Sequence, residues 1–256
     1  MKETVIGFIG AGNMAGSIIR GLIESGKNPR SIYATDIDES KLESLVDETD
    51  IKSASIKEIC ACAEILVLAV KPQTMKVVCL QIESIGKTQL VISVAAGIRT
   101  AQLEHWLNSK TAIVRCMPNT PALIGEGATG LFANNVVNER QKELAQSIMD
   151  AVGLTVWLGN ENDIDTVTAL SGSGPAYFFL LMEAMQEVAQ ELGLEQEIAE
   201  KLVCQTAIGA SKLALKTQDS TVALRKKVTS PGGTTERAVS EFEDGNLRGL
   251  VRNALI

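Results

Sequence analysis

Histidine is almost absent from this chain: His105 is the single one in 256 residues. A histidine-centred nucleophilic triad or a multi-histidine metal site would have to be built around that one residue, so neither is expected, and no metal is assigned. His105 lies in AQLEHWLN, a helical pattern in which a packing or surface role is the ordinary one. Positive charge is also short. Lysine and arginine total 24 against 31 aspartates and glutamates, a net charge of -7. That leaves no basic footprint for nucleic acid, and the local run Arg225-Lys226-Lys227 reads as a solvated turn. The five cysteines are odd in number and include no C-x-x-C pair. Reduced thiols in a cytoplasm fit this better than a disulfide framework. No apolar run is long and uncharged enough to span a bilayer. The chain enters a strand-like run at Thr4–Ile9, so no signal peptide is expected. Internal repeats and low-complexity linkers are missing too.

What is present is an ordinary globular composition, 45% apolar and 21% charged, long enough for one large domain or two modest ones. Up to about residue 160, short apolar runs alternate with helical patterns. TVIGFIGAG, SIYATDID, AEILVLAV, QLVISVAAG and TAIVRCMPNTP read as strands, with GEGATGLFAN and LTVWLG as further ones. NMAGSIIRGLIESG, ESKLESLVDE, a segment from Thr100 and NERQKELAQSIMDAVG read as helices. The alternation predicts an α/β fold, a Rossmann-type doubly wound and mostly parallel sheet, over residues 1–160. Beyond it, residues 161–256 carry no strand signal and predict an all-α domain. AYFFLLMEAMQEVAQELG is apolar on nearly all sides in its first half, and a helix of that kind must be buried. The short tail has little with which to cover it, so a partner is expected, most simply a second copy of the chain.

GFIGAGNMA contains the pattern G-x-G-x-x-A from Gly10 to Ala15, directly after a strand and opening a helix. The first glycine allows a tight turn, and the second lets backbone approach a pyrophosphate. The small third residue permits close packing, and the helix start offers amides to the phosphates. Gly10, Ala11, Gly12, Asn13, Met14 and Ala15 are therefore candidates for dinucleotide binding, against the alternative of a structural glycine turn. Asp36, at the end of the second strand, stands where a carboxylate can receive ribose hydroxyls. It would repel a 2′-phosphate, and no arginine follows in TDIDESK, so NADH is favoured over NADPH. The plainer alternative for Asp36 is a solvated turn or helix-cap residue.

Ligands of doubly wound folds bind beyond the carboxyl ends of the strands. Lys71-Pro72 ends one apolar strand, and Ala95-Ala96-Gly97 ends the next with residues small enough for a flat ring to approach. Met117-Pro118-Asn119-Thr120-Pro121 follows the third, where the prolines stiffen the turn and Asn119 offers donor and acceptor. Each is commonly structural by itself; together with the glycine loop they form a candidate nicotinamide and substrate rim. Two later turns open helices. In SGSGPAYFF, Pro175 suits a first helical turn and Ser173 or Gly174 suits a cap. In SPGGTTERA, glycines expose backbone N–H groups and Thr234 or Thr235 suits a cap, the pattern of a small-anion nest at a helix start.

The blocks GFIGAGNMA, LAVKPQ, MPNTPAL with GEGAT, VTALSGSGPAYFF and SPGGTT, in this order, resemble pyrroline-5-carboxylate reductase over essentially the whole chain. The resemblance implies reduction of 1-pyrroline-5-carboxylate to L-proline by hydride from NAD(P)H. It implies a Rossmann domain, then a helical domain that interlocks with a second subunit, giving homodimers and in some members decamers, with the active site between the two domains. Carried over by motif, Gly10–Ala15 would hold the pyrophosphate, while Ala69, Val70, Lys71, Pro72, Ala95, Ala96 and Gly97 would line the ribose and nicotinamide. Ser230, Gly232, Gly233, Thr234 and Thr235 would hold the substrate carboxylate, with the Thr235 hydroxyl near the ring nitrogen as the candidate catalytic group. Glu161 matches a position that approaches substrate. Two departures stand out: Ile56 occupies a position where the family commonly has a cofactor-contacting asparagine, and the chain ends at GLVRNALI, ahead of the usual final helix. A 3-hydroxyacid dehydrogenase is the nearest rival enzyme, but it would carry a lysine within Ala176–Leu192, and there is none. A non-catalytic nicotinamide-binding redox sensor would keep Gly10–Ala15 without needing the turn at Ser230–Thr235.

Overall fold

Short β-branched runs punctuated by glycine become the strands of one sheet in the computed structural model, which describes residues 3–86, 88–108 and 110–256. The strands are β1 (Ile6–Ile9), β2 (Ile32–Thr35), β3 (Lys52–Ser53), β4 (Ile65–Leu68), β5 (Leu90–Ser93), β6 (Ala112–Met117), β7 (Gly127–Ala133) and β8 (Gly153–Trp157). Their order is β3-β2-β1-β4-β5-β6-β7-β8. All neighbours are parallel except β6 and β7, which pair antiparallel, so β7 and β8 run against the first six. β1 is central to the first half, with Ile6 opposite both Ile32 and Ile65. The order reverses between β1 and β4, the switch point beside which ligands of such sheets bind.

The helices that wind this sheet are α1 (Asn13–Glu24), α2 (Glu39–Thr49), α3 (Ile56–Cys62), α4 (Pro72–Gln81), α5 (Thr100–Trp106) and α6 (Glu139–Asp150). Because strand side chains alternate between faces, the sheet buries two separate cores. Ile6, Phe8, Ile32, Val67 and Ile92 join Ile18, Ile19 and Leu22 of α1 on one face. Ile9, Leu66, Leu68 and Val91 join Ile59, Met75 and Leu103 on the other. The continuous apolar reading of ILVL and LVIS follows from this two-sided burial.

A helical segment then begins with α7 (Asp163–Val167), widens to a π-type turn at Thr168–Gly172, and continues as α8 (Gly174–Glu191). Here the structure corrects the sequence reading of SGSGPAY. Neither Ser173 nor Gly174 caps a helix start, because Ser173 N–H donates to Thr168 O five residues back at 2.8 Å and keeps the chain helical. A wide turn of this kind has no cap residue for a sequence pattern to display. The remaining helices are α9 (Gln196–Lys216), α10 (Thr221–Lys227), α11 (Thr234–Asp244) and α12 (Leu247–Leu255).

By contacts the chain divides into two compact units, one extending to Pro175 and the other Ala176–Ile256. In the second unit α8 leaves Phe178, Phe179, Leu180 and Val188 more than half exposed. Such a row of apolar side chains on a single chain marks an association surface. No helix among the described residues is long and apolar enough to cross a membrane.

Candidate functional site

The glycine loop is built from the end of β1. Gly10 has φ +103, and a Cβ there would lie 2.7 Å from Ala69 O, so only glycine lets β1 turn this close to the end of β4. Its N–H donates to Thr35 O at 2.8 Å. Gly12 is the N-cap of α1; no side chain caps the helix and no acidic residue stands in its first turn. The space where a Gly12 Cβ would be is open. The amides of Asn13, Met14 and Ala15 thus open a helix with no side-chain cap, the arrangement that receives phosphate. Asn13 is exposed, Met14 half-buried against the core, and Ala15 fully buried.

Asp36 closes the loop from the end of β2. Its Oδ2 accepts from Ala11 N–H at 2.6 Å and its Oδ1 from Asp38 N–H at 2.9 Å. The carboxylate therefore shapes the glycine loop and lines the cleft beside it. Two cations stand near, and both are already paired. Arg20 grips Glu48 with two bonds of 2.7 Å, and Lys41 Nζ lies 2.8 Å from Asp38 Oδ2. Hydrogen bonds from Lys41 and from the Ser40 hydroxyl hold the Asp38 carboxyl down at about 2.

Beside Gly10 and Asp36 opens a cleft of about 250 Å³, walled by Ile37, Ile56, Val70 and Val77. Ile37 is 97% exposed at its rim, an apolar surface that a flat heterocycle could cover. Ile56, flagged as a departure from the family pattern, lines this same cleft as the first residue of α3. A second cleft, of about 490 Å³, lies along Ala11, Gly12 and Asn13 with Arg20, Lys41 and Leu123.

The strand ends follow in register. Ala69 N–H donates to Ile9 O at 2.8 Å, which seats Ala69 and Val70 next to the glycine loop. Lys71 is the N-cap of α4 and Pro72 its first residue. After β5, Ala95 is buried while Ala96 and Gly97 are exposed, with Gly97 at φ +73.

Glu161 is where the structure adds most. Its Oε1 accepts from Thr100 N–H at 2.7 Å and its Oε2 from the Thr100 hydroxyl at 3.1 Å, capping α5 from a distant segment. Arg115 Nη1 lies 3.4 Å from Glu161 Oε1, and Arg115 Nη2 lies 3.4 Å from Asp165 Oδ1. Arg99 reaches Asn162 Oδ1 at 2.7 Å and Asp165 Oδ2 at 3.3 Å. Within this unit the carboxylate of Glu161 is engaged with protein groups. Sequence reasoning passed over Arg115, although its signal was visible: a lone charge in the strand AIVRCM. Nearby, Asn119 Nδ2 donates to Ser171 O at 3.0 Å while its Oδ1 accepts from Ala128 N–H at 2.8 Å.

In the second unit, Gly232 at φ +72 and Gly233 form the turn into α11. Gly233 N–H returns to Ser230 O at 3.0 Å. The N-cap is Gly233, which corrects the expectation of a threonine cap: Thr234 and Thr235 are the first two helical residues. A glycine cap has no side chain to occupy the helix start, so the hydroxyls point from the first turn instead. Ser230, Gly232, Thr234 and Thr235 are all exposed. Glu236, unforeseen in the sequence, folds back so that its Oε2 accepts from Gly232 N–H at 2.7 Å.

Comparison with known proteins bears on the family and the fold. The family model described as NADP oxidoreductase, coenzyme F420-dependent, matches residues 5–97. The model described as pyrroline-5-carboxylate reductase dimerisation matches residues 161–256. A pyrroline-5-carboxylate reductase of Pseudomonas aeruginosa is 47% identical, over 100% of this chain and 94% of its own length. The chain belongs to the pyrroline-5-carboxylate reductase family. A solved pyrroline-5-carboxylate reductase from Coxiella burnetii superposes with a TM-score of 0.93 at 48% identity, covering 99% of this chain and 95% of that one. The pyrroline carboxylate reductase of Plasmodium falciparum, solved with NADP bound, gives 0.87 at 28% identity, covering 100% of this chain and 95% of that one. Among pyrroline-5-carboxylate reductases the segment holding α8 to α12 is the dimerisation region, which accounts for the exposed apolar row on α8. A nicotinamide dinucleotide is the family's cofactor, and the glycine loop with its uncapped helix start fits one.

Proposed function

We propose that this chain reduces 1-pyrroline-5-carboxylate to L-proline with a reduced nicotinamide dinucleotide. The observation that carries the reading is a pair of helix starts, each capped by a bare glycine: Gly12 before α1 and Gly233 before α11. The first suits a pyrophosphate and the second a small carboxylate. In this proposal Gly10–Ala15 hold the pyrophosphate, Asp36 the adenosine ribose, and Ala69–Pro72 with Ala95–Gly97 the second ribose and nicotinamide. Ser230 and Gly232–Thr235 hold the substrate carboxylate. Residues 1–160 form the cofactor domain and 161–256 the domain for substrate and dimerisation.

When bound, the cofactor supplies hydride from its reduced nicotinamide ring. The protein's share is placement. The substrate is a cyclic imine bearing a carboxylate, and protonated at nitrogen it is already electrophilic. The amides at the start of α11 anchor the carboxylate, and the Thr235 oxygen accepts from the protonated ring nitrogen. An ordinary hydroxyl is too weak an acid to serve as proton donor at neutral pH, so Thr235 orients the substrate. Fixing two partners in near-attack geometry accounts for about 7 kcal/mol in favourable cases. No histidine is required for this chemistry.

NADH is the proposed preference. Asp36 meets the position of a 2′-phosphate with like charge, and Arg20 and Lys41 are committed to Glu48 and Asp38. A homodimer through the C-terminal helices is the proposed unit, with a decamer as its higher assembly, in the cytoplasm, where free thiols stay reduced. Glu161 acts through the contacts it makes with Thr100 and Arg115. The test is Thr235→Ala: NADH affinity is retained and turnover lost. Normal turnover per bound cofactor with collapsed NADH binding would overturn the assignment.

A further inference from the structure

Arg115 stands on β6 at 1% exposure, among the largest fully buried side chains of the chain. Burying a guanidinium is costly, and a methionine or leucine would fill the same volume without desolvating a charge. Its contacts are not those of a saturated core ion pair. Both carboxylates sit at 3.4 Å, longer than a close charge-assisted bond, and Arg115 Nε has no hydrogen-bond partner. What the guanidinium does is reach two acidic residues of one segment, Glu161 and Asp165, from the middle of the sheet.

That segment in turn holds two successive residues after the Ala95–Gly97 turn. Asn162 and Asp165 take Arg99, and Glu161 takes both the N–H and the hydroxyl of Thr100. The tip of the turn has no side-chain anchor of its own. Ala96 and Gly97 are exposed, Gly97 is in the left-handed region, and neither carries a side chain that could anchor it. Ala95 and Ile98 seat its two ends in the core, and the contacts from Arg115 through Glu161 to Thr100 add a polar anchor on the α5 side. The four charges of the cluster, Arg99, Arg115, Glu161 and Asp165, balance, so losing Arg115 leaves two carboxylates with one guanidinium.

We infer that Arg115 is a positioning residue for the nicotinamide turn: through Glu161 it locks Thr100, and with it Ala95–Gly97, at the distance the reaction needs. The inference rests on the proposed reading of that turn. Arg115→Met keeps length and loses the fork; Glu161→Ala removes the cap on Thr100; Glu161→Gln keeps an acceptor for the Thr100 N–H. Hydrogen–deuterium exchange on the cofactor-free protein reads the turn directly. Arg115→Met and Glu161→Ala are expected to speed exchange in the peptide spanning residues 94–103 by about tenfold, leaving β1 and β4 protected. With NADH and substrate, kcat falls by roughly 10- to 100-fold, while the KM for NADH moves by less than about threefold. Glu161→Gln restores most of both.

Unchanged exchange in that peptide together with unchanged kcat in a folded Arg115→Met would overturn the inference. Should Arg115→Met fail to fold, Glu161→Ala carries the same test, since Glu161 lies nearer the surface at 16% side-chain exposure. Ala96→Val separates the two ideas by crowding the turn itself. If Ala96→Val changes neither NADH affinity nor kcat, the reading of the turn fails and takes the inference with it. If Ala96→Val lowers kcat and the Arg115 and Glu161 variants do not, the inference alone fails.

Discussion

Asn119 Nδ2 donates to Ser171 O at 3.0 Å, the carbonyl whose helical i+4 partner would be Pro175, a residue with no N–H to give. With Oδ1 taken by Ala128 N–H, one amide side chain joins β7, the turn after β6 and the wide helical turn before α8. Asn119→Asp puts an acceptor where a donor is needed. It is expected to destabilise the protein by about 1 to 3 kcal/mol, with Asn119→Ala toward the lower end of that range. Thermal denaturation checks it, with a drop of roughly 2–4 °C expected per kcal/mol at this size. A melting temperature equal to wild type for Asn119→Asp would show that the bond carries no stability.

Gly10→Ala tests the loop at its tightest point. A Cβ at 2.7 Å from Ala69 O on a backbone at φ +103 forces β1 and β4 apart. Titration of NADH fluorescence is expected to show affinity lost by at least about tenfold, and melting is expected to fall with it, since the strain of such a substitution is of order 1–3 kcal/mol. Wild-type affinity in Gly10→Ala would place the dinucleotide elsewhere.

Asp36→Asn separates the two jobs of Asp36. The amide oxygen still accepts from Ala11 N–H and keeps that tie of the loop, while the bond from Asp38 N–H and the negative charge are lost, so the readout is the ratio of the two cofactors and not the affinity of either. The ratio of kcat/KM for NADH to that for NADPH is expected to drop by about tenfold, which corresponds to ~1.4 kcal/mol. The measurement is steady-state kinetics with both cofactors at one ionic strength, because exposed charge effects are screened by salt. An unchanged ratio would remove Asp36 from the selection of cofactor.

These tests fall on features of unequal visibility in the sequence. The glycine loop, the strands around it and Asp36 were legible because one strand–turn–helix unit carries its own chemistry within a few residues. Glycine caps and strand ends are local events. Arg115 with Glu161, and Asn119 with Ser171, are not: their separations along the chain are 46 and 52 residues, and no local pattern states the pairing. The cap at Gly233 is misread for a different, local reason. A threonine after two glycines looks like an N-cap, and only the dihedral angles show the helix starting one residue later than the cap glycine. The naming of the substrate lay beyond both, in the family to which SPGGTT and SGSGPAY belong.

Glu236→Ala tests the second anion site. Glu236 occupies the Gly232 N–H, so in the proposed site a substrate carboxylate would compete with a carboxylate of the chain. Removing it is expected to lower the KM for substrate by about fivefold, the equivalent of one hydrogen bond near 1 kcal/mol, with the KM for NADH unmoved. A higher substrate KM would mean that Glu236 helps to hold the substrate.

The most direct measurement mixes the purified chain with NADH and 1-pyrroline-5-carboxylate and follows nicotinamide absorbance and L-proline together. The predicted result is one L-proline formed for each NADH consumed, with turnover abolished in Thr235→Ala at unchanged NADH affinity. NADH binding without any L-proline, in wild-type protein shown to be dimeric, would contradict the reductase reading.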